Sequence, residues 1–512
     1  MLEGLRTWIR RLGVKMGLIT ELKKIDDHKK IDINTEQYER IELNKSIYKN
    51  YVKAWHLVDY ISSNGELKQR NMKTLGIGKL TASKVARLIF NEKCDIDVAT
   101  EGIDNADNDP AKEFIDYTFK ANKFYRDFQR HLEYCYALGG VALKVYEHNG
   151  LIKIAYAAAD AFIPLSNDSE NIDEALFITR EKKEDKHYTL LEWHEWDEQH
   201  NYVVTNELYE SDKNDVIGTK VKLSTLYPDL EEKAILQGLT QPLFVYIKPN
   251  TANNKDLTSP LGISIYENSY DTIQMLDYLY DFYHHEFKLG KRRISVNRGM
   301  LKPVIDEDGK SKPVFDSEET VFVPLGIEDK EGIQDLSVGL RVNEIIAAIN
   351  NNLDILAAQM GLSAGTFTFD GLGIKTATQV VSENSETYQT KNSHEILVEE
   401  AIKALVKAII ELANAYGIYN GSSDVDVTVN FDDSIAEDRQ ENYNYYSRAV
   451  KDGLYPKVKA IMKIFKVTEN EAKDLIEEIN ADRVELMQQD LEYSLDMAQV
   501  PPLNMEDDGA TE

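Results

Sequence analysis

Apolar residues along this chain recur at two periods, every three to four positions in some stretches and every second position in others. The switches between the two mark out its elements. Residues 1–60 read as helical and charged, with Leu2, Leu5, Ile9, Leu12 and Met16 on one face of a first short helix. Val85, Leu88 and Ile89 stand at i, i+3 and i+4 and predict an amphipathic helix over 81–90. Asp109 followed by Pro110 gives an N-cap and a first helical residue, opening a helix expected to run to Leu138 and to stop at Gly139-Gly140. Beyond it the period falls to two. Residues 141–146, 151–156, 175–180, 188–193, 202–209 and 243–247 are short alternating or β-branched runs, and His148-Asn149-Gly150 separates the first pair. They predict hairpins of an antiparallel sheet. The loop 249–260, rich in Asn, Thr and Lys, is the expected linker.

The helical period then returns. Residues 262–289 predict a helix ended by Gly290, with Lys288, Lys291, Arg292 and Arg293 where a helix C-terminus favours cations. Residues 294–326 are strand-like and rich in turns, with Asp306-Glu307-Asp308-Gly309 as a hairpin tip. Over 341–360, Val342, Ile345, Ile346, Ile349, Leu353, Leu356 and Met360 hold one helical face, and Gly361 closes it. Residues 362–375 are rich in Gly and Thr. A third helix is expected over 376–416, far above the mean of roughly 11 or 12 residues. Its first half is polar and its second half apolar (Ile402, Leu405, Val406, Ile409, Ile410), so a bend is expected where the character switches. Val425, Val427, Val429 and Phe431 alternate with polar residues as a half-buried strand. The remainder reads as helical, with Thr468 and Glu471 forming a capping box, and the acidic tail from Val500 is expected to be disordered. The pattern is that of an α+β protein, in which long helices accompany small antiparallel sheets.

The chain has 512 residues, enough for two to four domains or one elongated subunit, and a formal net charge of −29. A simple cationic nucleic-acid binder is excluded, because gripping phosphates over a large surface takes clustered Lys and Arg. Cys94 and Cys135 lack any CxxC partner, which excludes a multi-Cys zinc site and leaves one disulfide between them open. Arg6, Arg10, Arg11 and Lys15 interrupt the N-terminal apolar residues, and no run approaches the roughly 18 to 20 that a membrane span needs. A soluble chain that is neither secreted nor inserted is expected.

Several strings come close to catalytic motifs. Gly78-Lys79-Leu80-Thr81 resembles the end of a phosphate-binding loop, but Lys73 stands where that loop needs its first Gly, and Leu80 follows the Lys. His285-Glu286 and His394-Glu395 lack the second His, at Leu289 and Val398. Trp193-His194-Glu195-Trp196 fits a half-exposed strand, and the aspartates at 104, 107, 109, 306 and 308 fit turns and caps better than a calcium loop. No cofactor and no metal site is expected, and no catalytic constellation is present in the sequence. A nuclease or motor ATPase is therefore disfavoured.

The segment SPLGISIYENSYDTIQMLDYLYDFYHHEFKLGKRRISV, and then LRVNEIIAAINNNLDILAAQMGLSAGTFTFDGLGIKTATQVVSENSETYQT, resembles the portal proteins of tailed phages, specifically the siphophage type from Gram-positive hosts. GIGKLTASKVARLIFNEKCDI and GGVALKVYEHNGLIKIAYAAADAFIP are similar to the same family, so the likeness covers nearly the whole chain. The resemblance implies a non-enzymatic subunit of a homo-oligomeric ring, typically of twelve copies, at one capsid vertex. That ring would form the channel for double-stranded DNA. It implies a wing over 1–260, a first stem helix over 261–292, a clip over 293–335 and a second stem helix over 336–361. A tunnel loop over 362–375, a long spine helix and wing strand over 376–433, a crown over 434–499 and the tail over 500–512 complete it. The clip would dock the large terminase subunit and then the head-completion adaptor, with major capsid and scaffolding proteins as further partners and no membrane. The implied location is the virion, after assembly in the host cytoplasm.

In that picture the loop residues Ser363, Gly365, Thr366, Phe367, Thr368, Phe369, Asp370, Gly371, Gly373 and Lys375 face the DNA, though Phe367 and Phe369 equally suit packing anchors at the loop base. Lys375 and the Lys288, Lys291, Arg292, Arg293 group are candidates for phosphate contact, and the group equally suits the end of a helix. The physical reading agrees: two long helices around a small sheet cannot bury their apolar faces in one slim subunit, and a closed heterologous ring supplies the missing neighbour. A Gly-rich loop changes conformation cheaply, and an acidic channel keeps phosphates from sticking. Another capsid or scaffold protein is the alternative.

Overall fold

The computed structural model describes residues 21–22, 24–28, 30–31, 34–62, 65–100, 109–168, 171–290, 294–296, 302–305, 309, 311–314, 333–335, 339–368, 385–432, 439–465, 472–473 and 475–480. The protein is α+β and divides into two compact units, one of residues 1–373 with 383–432, the other of 374–382 with 433–512.

In the first unit a short strand β1 (Glu21–Leu22) precedes helix α1 (Thr35–Tyr48), which Asn34 caps by accepting from the Glu36 N–H at 3.2 Å. The short α2 (Lys53–His56) leads into an isolated hairpin of β2 (Leu57–Ile61) and β3 (Leu67–Asn71). Helix α3 (Ile77–Ile89) starts from Gly76, whose φ of +72° suits only glycine well. Strand β4 (Asp95–Thr100) follows. The helix expected over 109–138 is two, α4 (Pro110–Asn122) and α5 (Phe124–Leu138), because Lys123 takes the left-handed conformation at φ +53° and breaks the helical run. The Asp109 cap is as the sequence foretells: its carboxylate accepts from Ala111 N–H at 2.8 Å.

Strands β5 (Val141–His148) and β6 (Leu151–Ala158) join through Asn149-Gly150, both at positive φ, as a two-residue hairpin turn requires. Then come β7 (Phe162–Asp168), β8 (Asn171–Lys183), β9 (Lys186–Trp196), β10 (Tyr202–Ser211), β11 (Gly218–Val221), β12 (Lys233–Leu236) and β13 (Phe244–Ile247). They form a seven-stranded antiparallel sheet in the order β1-β11-β10-β9-β8-β7, with β12 beside β10, and a three-stranded sheet β13-β5-β6. Trp193 and His194 are buried, not half-exposed as the sequence pattern implied, because both faces of β9 are covered. A polar group crosses between the sheets there. Lys144 on β5 reaches Glu192 on β9 at 2.5 Å, Glu192 accepts from His194 Nε2 at 2.8 Å, and Tyr202 sits 2.8 Å from His194 Nδ1. Burial works to raise the Glu192 carboxyl, but Lys144 and His194 outweigh it and hold it at about 2.

The expected linker 249–260 is a pinned loop inside the first unit. Asn250 donates to Ser393 O at 2.7 Å, its N–H donates to His394 Nδ1, and Asp256 accepts from Asn34 at 3.0 Å. Helix α6 (Tyr270–Leu289) begins later than its pattern foretells, since Ser264 and Glu267 turn the chain first. Two nested antiparallel pairs follow, β14 (Ile294–Val296) with β17 (Ile333–Asp335), and between them β15 (Lys302–Ile305) with β16 (Ser311–Val314). Of the expected tip, Gly309 is described and residues 306–308 lie outside the described residues. Helix α7 (Val342–Gln359) precedes the long α8 (Ser385–Ala415), and residues 376–384, expected to begin that helix, lie outside the described residues. From Val398 to Ala413, α8 buries Ile402, Leu405, Val406, Ile409 and Ile410 in the main core. Strand β18 (Val425–Asn430) returns to pair with β4, Val425 opposite Thr100 and Asn430 opposite Asp95.

The second unit contains α9 (Arg439–Lys451) and α10 (Lys457–Phe465). The expected capping box at Thr468 and the tail from Val500 lie outside the described residues, as does the first helix around Leu2 to Met16.

Candidate channel loop and ring-interface surfaces

Helices α6 and α7 run antiparallel, tied at both ends. Thr272 Oγ1 donates to Gln359 Oε1 at 2.9 Å, and at the other end the Arg341 guanidinium donates to Glu286 Oε2 at 2.9 Å. That guanidinium holds the Glu286 carboxyl below its ordinary range. Ile273, Leu276 and Leu279 on α6, with Ile345, Ile349, Leu353 and Leu356 on α7, are buried in one core. The outer faces are different. Met275, Tyr278, Phe287, Ile346 and Ile355 stand 41–56% exposed, and Glu344 and Asp354 are the only charged residues of α7. Met275 and Tyr278 share the outer side of α6 with the exposed Asp271 and Gln274, whereas Ile346 and Ile355, nine residues apart, lie on opposite flanks of α7, where Asn343, Glu344 and Asn351 are also exposed.

Two carboxylates on α6, one turn apart, fasten the pair to the β2–β3 hairpin and the segments on either side of it. Val52 N–H donates to His56 Nδ1 at 2.9 Å, which leaves His56 Nε2 to donate to Asp277 at 3.0 Å, while Leu75 N–H donates to the other Asp277 oxygen at 2.8 Å. Burial raises the Asp277 carboxyl, and these donors offset only part of that. Arg70 grips Asp281 with two bonds of 2.9 and 2.7 Å, joined by the Lys73 N–H at 3.0 Å. Burial lifts the Asp281 carboxyl too, but here the Arg70 fork wins and holds it below the usual carboxylate range.

The Gly-rich loop leaves α7 through Gly361, at φ +69°, with Leu362 N–H returning to Ala357 O at 2.8 Å and Gly361 N–H to Ala358 O at 3.1 Å. This double closure is the usual glycine stop of a helix. The first stretch is then bonded to α8. Ser363 N–H donates to Thr387 Oγ1 at 2.9 Å, Thr387 N–H donates to Ser363 Oγ at 3.2 Å, and Thr390 Oγ1 donates to Gly361 O at 2.5 Å. Gly365, at φ +82°, donates its N–H to Asp354 at 2.8 Å, and Lys84 reaches Thr366 O at 3.5 Å. Phe367, 6% exposed, sits in the main core. Ser363 and Phe367 thus face inward at the loop base, whereas Gly365 is exposed and Thr366 and Thr368 are half-buried. Phe369, Asp370, Gly371, Gly373 and Lys375 lie outside the described residues. Lys288 is exposed on the last turn of α6, and Lys291, Arg292 and Arg293 lie outside the described residues.

Asp354, Thr387, Thr390 and Lys84 hold this loop and were not singled out from sequence. The available signal was the pair of threonines three apart on the polar half of α8, facing a glycine-rich partner. The motif-like strings have structural employment: Lys79 pairs with Glu133 at 2.6 Å, and His394 is a buried acceptor for Asn250 N–H, its imidazole pushed down by burial to about 4. Cys94 and Cys135 are both buried and free. Among the described residues no group of His, Cys, Asp and Glu converges on a metal position, and no helix is long and apolar enough to cross a membrane.

An α+β subunit in which two bonded antiparallel helices bracket nested strand pairs, leave several large apolar side chains exposed and run on through a glycine-rich loop is the build of an assembling structural protein. The chain belongs to the phage portal protein family, SPP1 Gp6-like, whose family model it matches over residues 27–485. It is thus a tailed-phage portal subunit, of a structural family whose members form an oligomeric ring at a capsid vertex and serve DNA packaging. No curated protein matches the chain.

Proposed function

We propose that copies of this subunit, typically twelve, close into a ring that conducts double-stranded DNA during packaging and ejection. The observation that carries this reading, beside the family match, is the set of apolar side chains left exposed on the α6–α7 pair. Among the described residues nothing covers Met275, Tyr278, Ile346 and Ile355, and a heterologous ring would bring the next copy against them. Residues 1–260 serve as the wing, 261–292 and 336–361 as stem helices, and 293–335 as the clip. The clip docks the large terminase subunit first and the head-completion adaptor afterwards. Residues 376–433 are the spine helix and wing strand, 434–499 the crown and 500–512 an acidic tail.

Within the tunnel loop 362–375, Ser363 and Phe367 anchor the base, while Gly365, Thr366 and Thr368, with Phe369, Asp370, Gly371, Gly373 and Lys375, meet the DNA. Lys288, Lys291, Arg292 and Arg293 are the further candidates for phosphate contact. The strong net negative charge keeps the duplex moving by repelling its phosphates. The subunit performs no chemistry, and it assembles in the host cytoplasm with the major capsid and scaffolding proteins.

Electron microscopy of the purified chain is expected to show a large annulus; a monomer under all conditions overturns the ring. Deleting residues 366–374 is expected to leave ring assembly intact and to impair DNA packaging or retention. Normal packaging by that variant removes the loop from the channel.

A further inference from the structure

Charge is distributed unevenly along the chain. Against a net −29, residues 443–465 of the second unit, across α9 and α10, carry a cationic surface. Between Tyr443 and Phe465 stand Arg448, Lys451, Lys457, Lys459 and Lys463, with Asp452 as the only acid. All five cations are exposed, and among the described residues none of their side chains is engaged in an ion pair or hydrogen bond. Several cations of the first unit do meet a partner: Arg70, Lys79, Lys144 and Arg341 each lie within 3 Å of a carboxylate.

The cations sit on a built framework. Tyr446 packs against Tyr445 and Tyr455 with ring centres 5.1 and 5.3 Å apart, fixing α9 against the turn that Gly453 makes at φ +72°. Ala460 and Ile461 bury the inner face of α10. Lys459 and Lys463, at i and i+4, share the face opposite them. Arg448 and Lys451, at i and i+3, line the end of α9, and Lys457 opens α10 across the turn. Tyr443 and Tyr445 are exposed on α9, where their hydroxyls can donate to an acceptor.

We propose that the α9–α10 surface contacts the phosphate backbone of double-stranded DNA without regard to sequence. Four of the five cations are lysine, which meets a phosphate as a compact point charge and lacks the planar fork by which arginine is pinned to one bidentate geometry, as a contact indifferent to sequence requires. Unpaired cations also have their counterions to release, which is where affinity for a polyanion arises. The surface lies outside the glycine-rich loop, so it does not depend on that loop touching DNA.

The test is fluorescence anisotropy of the full-length chain with a labelled duplex, in two unrelated sequences and over a range of salt. Removing three phosphate contacts in Lys457→Glu/Lys459→Glu/Lys463→Glu is expected to lower the slope of log affinity against log salt by about 2.7, so that the loss of affinity between 50 and 200 mM salt shrinks about 40-fold relative to the parent. Lys182→Glu/Lys183→Glu, at exposed lysines of the β8–β9 hairpin, is expected to bind as the parent does. Should the triple Glu variant lose its assembly state, the Lys→Gln series gives the same reading without charge reversal. A triple variant with the parent's affinity and salt slope overturns the proposal, as does a strong preference between the two duplexes. The 366–374 deletion keeps the salt slope under this proposal, so its failure and that of the channel loop are told apart.

Discussion

The seven-stranded sheet and the α6–α7 pair both contain buried charge, and they use it differently. In the sheet, Glu192, Lys144, His194 and Tyr202 satisfy one another between two layers, and the apolar residues around them, such as Phe177 and Phe244, are already covered. On α6, Asp277 and Asp281 reach outward to a hairpin and a loop, and Glu286 reaches α7, so charge fixes the angle and reach of the pair. Elsewhere on the same helices Met275, Tyr278, Ile346 and Ile355 are left exposed among polar neighbours. A region that is complete in itself supports the subunit, whereas one that is rigid on one side and unfinished on the other is prepared for a neighbour.

Three substitutions break or sharpen this contrast. Glu192→Gln removes one partner of a buried pair and leaves Lys144 uncompensated, at a cost of about 3–5 kcal/mol. Chemical denaturation should show it, and a change below about 1 kcal/mol would contradict the account of the sheet. Asp281→Asn loosens a pair whose arginine is about a third exposed, so a smaller loss of about 1–2 kcal/mol is expected at neutral pH. Because the folded carboxyl lies below its unfolded value of about 3.9, the parent's advantage is fully present above that pH. It then disappears as pH falls through the depressed value. An advantage that grew on acidification would have the wrong sign. The smallest effect on the subunit is expected for Met275→Glu/Ile355→Glu, within about 0.5 kcal/mol because both sites face solvent. The same variant should lose the ring in mass photometry, and intact rings would mean that these faces do not meet a neighbour.

Much of the fold was legible because it follows from local pattern. The apolar face of 341–360 gave α7 to within a residue or two, Asp109-Pro110 gave the start of α4, and the Asn149-Gly150 turn gave the first hairpin. What was not legible depended on partners far away in sequence. Lys123 carries no glycine-like signal, so the break between α4 and α5 went unseen. Asp277 and Asp281 look like solvent-facing positions until the hairpin at Arg70 folds over them. The Asn- and Thr-rich loop 249–260 read as a linker because its side chains are polar, yet those side chains bond it to α1 and α8. Of the candidate site, the loop's composition was visible, but the Ser363–Thr387 exchange that fastens its base was not, since it joins residues 24 apart.

The pairing of β4 with β18 has a consequence for synthesis. Residues Asp95–Thr100 are made early, and their one strand partner among the described residues, Val425–Asn430, is made more than three hundred residues later. At roughly 5–20 residues per second, the ribosome leaves that edge without its partner for about 15–65 s. The edge stays open to mispairing with other nascent chains for that interval, and the first unit cannot close before α8 and the strand beyond it have emerged. A product truncated before residue 425 would leave β4 without this partner, its edge open to other chains.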